Sequence, residues 1–177
     1  VIDLITGVVP RAHLFVAPDI AENGTTEPRS IVAAVEWLLE QGVRLIALPF
    51  GGQMEVPDIG RALRAAADRG GIFFAASGGG WSEELLFPAR HAATIAVAAS
   101  DEVGTPCFHR DPPDDVDLLA PGWNVPAVGS AGVTSATGSS IACVIATAVA
   151  ALAIANEAID VSQVDRASVV RLLREQV

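Results

Sequence analysis

Short apolar runs alternate with amphipathic segments along this chain, and that alternation predicts an α/β fold, a mainly parallel sheet with helices on both faces. Two further observations carry the same reading. Val43, Leu45, Ile46, Ala47 and Leu48 form a nearly continuous apolar run, as a strand covered on both faces requires. Ile141 to Ala155 is a fifteen-residue stretch, apolar apart from Thr147. That is short of the roughly 20 residues needed to cross a bilayer and fits a buried central helix.

The elements follow in order. Leu14 to Val16 reads as a short strand. After a loop marked by Gly24 and Pro28, Ser30 is placed to cap a helix whose apolar face is Ile31, Ala34, Val35 and Leu38, and Gly42 stands where such a helix ends. The strand Val43 to Leu48 comes next. Pro57 starts a second helix that closes at Gly70-Gly71, and Ile72 to Ala76 forms the following strand. Thr94 to Ala98 and Val116 to Ala120 read as further strands, and Val164 to Gln176 is an amphipathic closing helix with Val169, Leu172 and Leu173 on one face. There is no internal repeat and no low-complexity linker.

A length of 177 residues suits a single domain over 1–177, and 51% hydrophobic against 18% charged residues is enough to bury a sizeable core. The net charge is −10 and all eleven basic residues are Arg, unclustered, which argues against nucleic acid as a partner. Cys107 lies in a Pro-rich loop and Cys143 in the apolar helix, so neither a disulfide framework nor a CxxC metal site is implied. The three histidines are scattered and form no ligand cluster. The chain begins at Val1 with neither an initiator Met nor a signal peptide, the expectation for a processed piece or an excised segment. Localisation stays open between secreted and cytoplasmic.

Thr137-Gly138-Ser139-Ser140-Ile141-Ala142 opens the apolar helix and is the most informative stretch for chemistry. The first N–H groups of a helix lack intrahelical partners and carry the positive end of its dipole, so charge developing beside Ser140 would meet ready-made donors. The plainer alternative is that Ser139 and Ser140 only cap the helix. Ser77-Gly78-Gly79-Gly80, before a possible helix Ser82 to Leu86, offers a weak phosphate-cradle reading; it lacks the third Gly of G-x-G-x-x-G and any P-loop Lys.

In this order the segments resemble the subtilisin-like serine peptidases over nearly the whole chain. Gly7-Val8-Val9-Pro10-Arg11-Ala12-His13-Leu14 is similar to the G-V-A-P-x-A-x-L lead-in to a core strand, and Ile31 to Gly52 to the helix and strand that end in S-L-G-G or S-W-G-G. Phe73-Phe74-Ala75-Ala76-Ser77-Gly78-Gly79 stands where the family has V-V-A-A-A-G-N. Phe87-Pro88-Ala89-Arg90 with Ile95-Ala96-Val97 resembles Y-P-A-x…I-x-V-x-A, and Ala120-Pro121-Gly122 resembles A-P-G. Gly138-Ser139-Ser140-Ile141-Ala142 resembles the nucleophile motif G-T-S-M-A. The resemblance implies a three-layer subtilisin-like α/β fold whose N-terminal part is absent, and a polypeptide substrate bound extended. It makes Ser140 the catalytic nucleophile, its N–H half of an oxyanion hole. Pro49, Phe50, Gly51 and Gly52 would border the groove, and Ala75, Ala76, Ser77 and Gly78 would wall the pocket for the side chain preceding the scissile bond.

The departures are as specific as the matches. A serine hydroxyl needs a histidine oriented by a carboxylate, and in this family both precede the segment matched by Gly7-Val8. Val1-Ile2-Asp3, with His13 behind it, resembles the V-I-D-T-G aspartate motif, but placing Asp3 there abandons the better-spaced Gly7-Val8-Val9-Pro10 match and leaves no H-G-T helix. His91 and His109 read as solvated loop residues. Gly79 takes the position of the Asn that donates to the oxyanion. Pro49 stands for Ser, Val144 for Pro and Ile141 for Met. No metal is encoded; calcium sites are common in the family, but the scattered acidic residues place none. Two functions remain: a serine endopeptidase domain working through a Ser140 acyl-enzyme and inactive as this chain alone, or a pseudopeptidase that binds or scaffolds peptides. An N-terminal fragment or a second copy is the expected partner.

Overall fold

The computed structural model describes residues 2–17, 26–79, 84–107, 115–129, 132–157 and 159–175. Its centre is a four-stranded sheet in the order β1 (Leu45–Leu48), β2 (Ile72–Ala76), β3 (Thr94–Ser100), β4 (Leu118–Pro121). Every neighbouring pair is parallel, with Leu45 opposite Ile72, Phe73 opposite Thr94 and Val97 opposite Leu118. All the residues of β2 and β3 are buried. That is the condition under which a strand reads as a continuous apolar run rather than an alternating one.

Period-two geometry sends the side chains of these strands to opposite faces. Ile46, Leu48, Phe73, Ala75 and Ala96 meet α2 (Pro28–Glu40) and α3 (Pro57–Asp68) through Ile31, Val35, Ile59 and Leu63. Ile72, Phe74, Ile95, Val97, Leu118 and Ala120 meet α4 (Ser139–Asn156) and α5 (Arg166–Glu175) through Cys143, Ala146, Ala150, Val169 and Leu173. Phe73 and Phe74 are adjacent and fully buried on different faces, so each core gains one aromatic, about 1.5–3 kcal/mol by area. α4 is long and apolar enough to cross a membrane by length and composition, but here it packs against all four strands, α1 (Ile2–Val8) and α5.

Local chemistry sets the boundaries. Pro28 and Pro57 occupy the first turns of α2 and α3, where a missing N–H costs nothing. Gly42 follows α2 at φ +79°, the left-handed conformation that ends a helix. Ser30 does not cap α2: the cap is Glu27, without a side-chain bond, because Pro28 draws the start of the helix three residues earlier. The closing helix is Arg166–Glu175, shorter than 164–176, with Val169, Val170 and Leu173 buried. Arg166 fastens it to the sheet. Its Nη2 lies 2.6 Å from Asp117 Oδ2 and its Nε donates to Thr94 O at 2.7 Å, while Asp117 Oδ2 also accepts the Ala96 N–H at 2.8 Å.

Three parts of the fold differ from the sequence expectation. Ile2–Val8 is a helix, its Leu4 buried against α4 residues Ile141 and Val144. An antiparallel hairpin, β5 (Val125–Gly129) and β6 (Gly132–Ala136), separates the sheet from α4. The strand expected at Leu14 to Val16 is not formed; residues 12–17 have no regular structure. The segment makes no ladder with β1, from which a cavity separates it. Between that segment and β1 lies a cavity of about 760 Å³, lined by Leu14, Phe15 and Val16 on one side and by Leu45, Ile46, Ala47 and Leu48 on the other. Among the described residues β1 pairs only with β2, so its outer edge is a row of free backbone groups beside an apolar space.

Unpaired edges and open apolar linings promote association and dye binding. The purified chain is therefore expected to self-associate in sedimentation and to enhance the fluorescence of an apolar dye. A strictly monomeric, dye-silent chain would show that the β1 edge is closed in solution.

Candidate active site

Ser140 sits in the first turn of α4, and α4 begins where the parallel strands end. In open parallel sheets this carboxyl edge is where ligands bind. A short series of bonds holds the helix start there. Gly122 N–H donates to Ser100 O at 2.9 Å, and Gly138 N–H donates to Gly122 O at 2.8 Å. Gly122 has no alternative at this junction: a Cβ would stand 2.5 Å from Ala99 Cβ and 2.8 Å from Gly138 O. Gly138, the N-cap, has φ +150°, and a Cβ there would come 3.2 Å from Ser140 Oγ.

The two serines play different structural parts. Ser139 is buried, and its Oγ accepts the Gly78 N–H at 3.1 Å, a bond across sixty-one residues that ties the loop after β2 to the start of α4. Ser140 is half-buried, and among the described residues neither its hydroxyl nor its N–H makes a hydrogen bond. The capping alternative does not apply to either, since the N-cap is Gly138 and no side-chain cap bond forms. What remains at Ser140 is a free hydroxyl beside a free donor at the positive end of an eighteen-residue helix.

The other residues singled out from the sequence fall around this point unevenly. Ser77 and Gly78 are buried at the end of β2, and Gly79 is exposed just beyond them. Ala75 and Ala76 lie inside β2, with their side chains in the two opposite cores rather than on an open wall. Pro49 and Phe50 are half-buried after β1, while Gly51 and Gly52 are exposed. Gly52 exchanges both backbone bonds with Phe87, 2.8 Å from its N–H and 2.9 Å to its carbonyl. That bridge brings Leu86 beside the glycines, a residue the sequence reading passed over. The available signal was the Leu85-Leu86-Phe87 run directly ahead of the Phe87-Pro88 motif.

No histidine is placed to activate Ser140 among the described residues. His13 is exposed at the rim of the cavity beside β1. His91 is packed against α3, its Nε2 3.3 Å from where a Gly60 Cβ would stand and its Nδ1 accepting the Ala93 N–H at 3.2 Å. Burial, reinforced by the Arg64 guanidinium, holds its pKa below the ordinary histidine value. His109 lies outside the described residues, as do Gly80 and Ser82; described residues 84–86 are not helical. Neither thiol competes with the serine. Burial pushes Cys143 up to about 12, and burial together with Asp101 raises Cys107. Among the described residues no three His, Cys, Asp or Glu side chains converge.

With this geometry in place, the comparisons fall into one pattern. A profile described as the Subtilase family matches residues 2–172. Subtilisin Savinase of Lederbergia lenta is 29% identical over 121 residues, 68% of this chain and 45% of that protein. The major intracellular serine protease of Bacillus subtilis (strain 168) is 29% identical over 127 residues, 68% of this chain and 40% of that protein. Among solved structures, a cold adapted subtilisin-like serine proteinase superposes with TM-score 0.73 at 19% identity, over 89% of this chain and 57% of that one. The PatG macrocyclase in complex with peptide gives TM-score 0.71 at 24% identity, over 85% and 48%. The chain thus spans under half the length of these curated relatives.

Ser139→Ala tests the junction. It strands the buried Gly78 N–H, which costs about 1–3 kcal/mol for a lost partner. The melting temperature is expected to drop and the Gly78 amide to exchange faster. Unchanged Gly78 exchange would contradict the bond.

Proposed function

This chain belongs to the subtilase family, and on that premise we propose that it is the serine-bearing portion of a serine endopeptidase, with Ser140 as its nucleophile. The observation that carries the reading is the free Ser140 hydroxyl beside its own free N–H in the first turn of α4, at the carboxyl edge of the sheet. In the proposed reaction Ser140 Oγ bonds to the scissile carbonyl carbon while its proton passes to an imidazole, and the carbonyl oxygen takes the negative charge. Ser140 N–H and the end of the α4 dipole stabilise that charge. The C–N bond then breaks, the imidazole returns its proton to the leaving amine, and water cleaves the acyl-serine to release the acid and regenerate the hydroxyl.

The imidazole and its carboxylate partner come, in this proposal, from residues outside these 177. The unpaired β1 edge and the cavity beside it favour that view, because an added apolar strand would satisfy the backbone groups of Leu45 to Leu48 and fill the space. The partner is an N-terminal fragment or a second copy, and the substrate is a polypeptide laid along Pro49, Phe50, Gly51 and Gly52 with Ser77 and Gly78 behind it. The chemistry calls for no cofactor, and we assign no calcium site.

Gly79 favours a second reading, a pseudopeptidase that binds or scaffolds peptide, since that position has no side chain to donate to the oxyanion. Losing that donor costs roughly 10²–10³ in turnover; the figure comes from a subtilisin and is not independent of this family. A fluorophosphonate probe distinguishes the readings. The isolated chain is expected to stay unlabelled, and the chain joined to a histidine- and aspartate-bearing segment to be labelled at Ser140, with Ser140→Ala abolishing the signal. In the joined protein Gly79→Asn should raise kcat about 10². Stoichiometric labelling of the isolated chain would overturn the missing-base account. Peptide binding without labelling of the joined protein would favour the pseudopeptidase.

A further inference from the structure

Leu86 occupies the space between the two glycine walls. A Cβ on Gly51 would lie 2.9 Å from Leu86 Cβ and 3.2 Å from its Cδ1, and a Cβ on Gly78 would lie 2.6 Å from its Cγ and 2.8 Å from its Cδ1. Both walls therefore need glycine where this leucine stands. The backbone fixes it there: Leu86 N–H donates to Ser77 O at 2.9 Å, and the next residue, Phe87, is bonded to Gly52. Its carbonyl accepts the Arg90 N–H at 3.1 Å, so the segment is tied down on both sides of the side chain. Leu85 and Phe87 are buried in the core under α2 and α3, whereas Leu86 is only half-buried and is not part of that core. The glycine main chains of the candidate site lie against it.

We propose that Leu86 is a specificity-determining residue that fills the pocket for the side chain preceding the scissile bond, restricting that position to glycine or alanine. The proposal rests on the peptide-site reading above. A larger side chain would have to displace a leucine already in contact with two backbones, and close-packed sites tolerate such overpacking poorly. No charged group lies among these contacts, so the selection is by size. Shortening Leu86 should open an apolar pocket bounded by Gly51, Gly78 and the end of β2.

Toluene, a stand-in for a phenylalanine side chain, tests the plug without any peptide, because an apolar pocket freed of its leucine offers an aromatic molecule apolar surface to bury. Leu86→Ala, with Leu86→Gly as a second variant, is expected to show saturable toluene-dependent shifts of the Gly51 and Gly78 amides, and the unaltered chain none. Shifts of equal size in the unaltered chain, or none in either variant, would overturn the proposal. Peptides differing only in Ala, Leu or Phe at the position in question are then bound to the Ser140→Ala protein. The Phe-to-Ala affinity ratio should rise at least about tenfold on adding Leu86→Ala, the discrimination one methylene or more commands in an apolar pocket. An unchanged ratio with peptide bound overturns the specificity role. Toluene entry with no peptide bound to either protein overturns the peptide-site reading, and leaves Leu86 a packing role only.

Discussion

A helix that starts against the ends of parallel strands needs room for two backbones to meet, and here Gly122 provides it. Ala99 Cβ and Gly138 O come too close for any side chain at that position. From this contact the rest is assembled in sequence. Ser100 O accepts from Gly122, Gly122 O accepts from Gly138, and Gly138 starts α4 so that Ser139 and Ser140 fall in its first turn. Ser139 then reaches across to the Gly78 N–H, which fixes the loop after β2 relative to the helix. Among the described residues Ser140 is left with its hydroxyl and N–H unused, its neighbours having taken the structural bonds.

The electrostatics at this point are one-sided. A helix N-terminus and one N–H meet at Ser140; in the proposed reading they form part of an oxyanion site from which Gly79 withdraws the side-chain half. Each single departure is survivable, whereas a missing base is not: an unactivated hydroxyl at neutral pH is a poor nucleophile whatever stabilises the oxyanion. The thiols give no alternative, since Cys143 is buried with its pKa near 12 and cannot supply a thiolate. In the proposed reading chemistry at this site depends on what docks beside it, and the β1 edge, unpaired on its outer side among the described residues, has backbone capacity to spare.

The sheet was legible because its strands are buried on both faces. Ile72 to Ala76 is apolar throughout, matches the observed strand, and needed no partner information to be read. Gly42 and Pro57 were equally plain, since each acts through its own backbone. The strand expected at Leu14 to Val16 failed for the opposite reason: pairing is a property of two segments, and here a cavity lined by both keeps Leu14 to Val16 apart from β1. The hairpin Val125–Gly129 and Gly132–Ala136 was not assigned from the sequence; Pro126, which has no N–H to donate, weakens the strand signal of its first half. The helix Ile2–Val8 was hidden by Gly7, a poor helix former that is tolerated because Leu4 packs on α4. At the candidate site the motif placed Ser140 correctly in the first turn of α4. Leu86 escaped because its importance lies in the two glycines facing it, thirty-five and eight residues away, which no local pattern reports.

The central claim is that the first turn of α4 presents Ser140 as a nucleophile beside its own oxyanion donor. A peptide boronic acid tests this most directly, because its boron bonds to a serine oxygen and becomes a tetrahedral mimic of the attacked carbonyl. The measurement is a crystal structure of the boronate complex of the chain joined to its histidine- and aspartate-bearing segment. The account predicts a bond from boron to Ser140 Oγ and one boronate oxygen within about 3 Å of Ser140 N, the ordinary hydrogen-bond distance. Boron on another residue, or a Ser140 adduct whose oxygens all point away from that N–H, would contradict it.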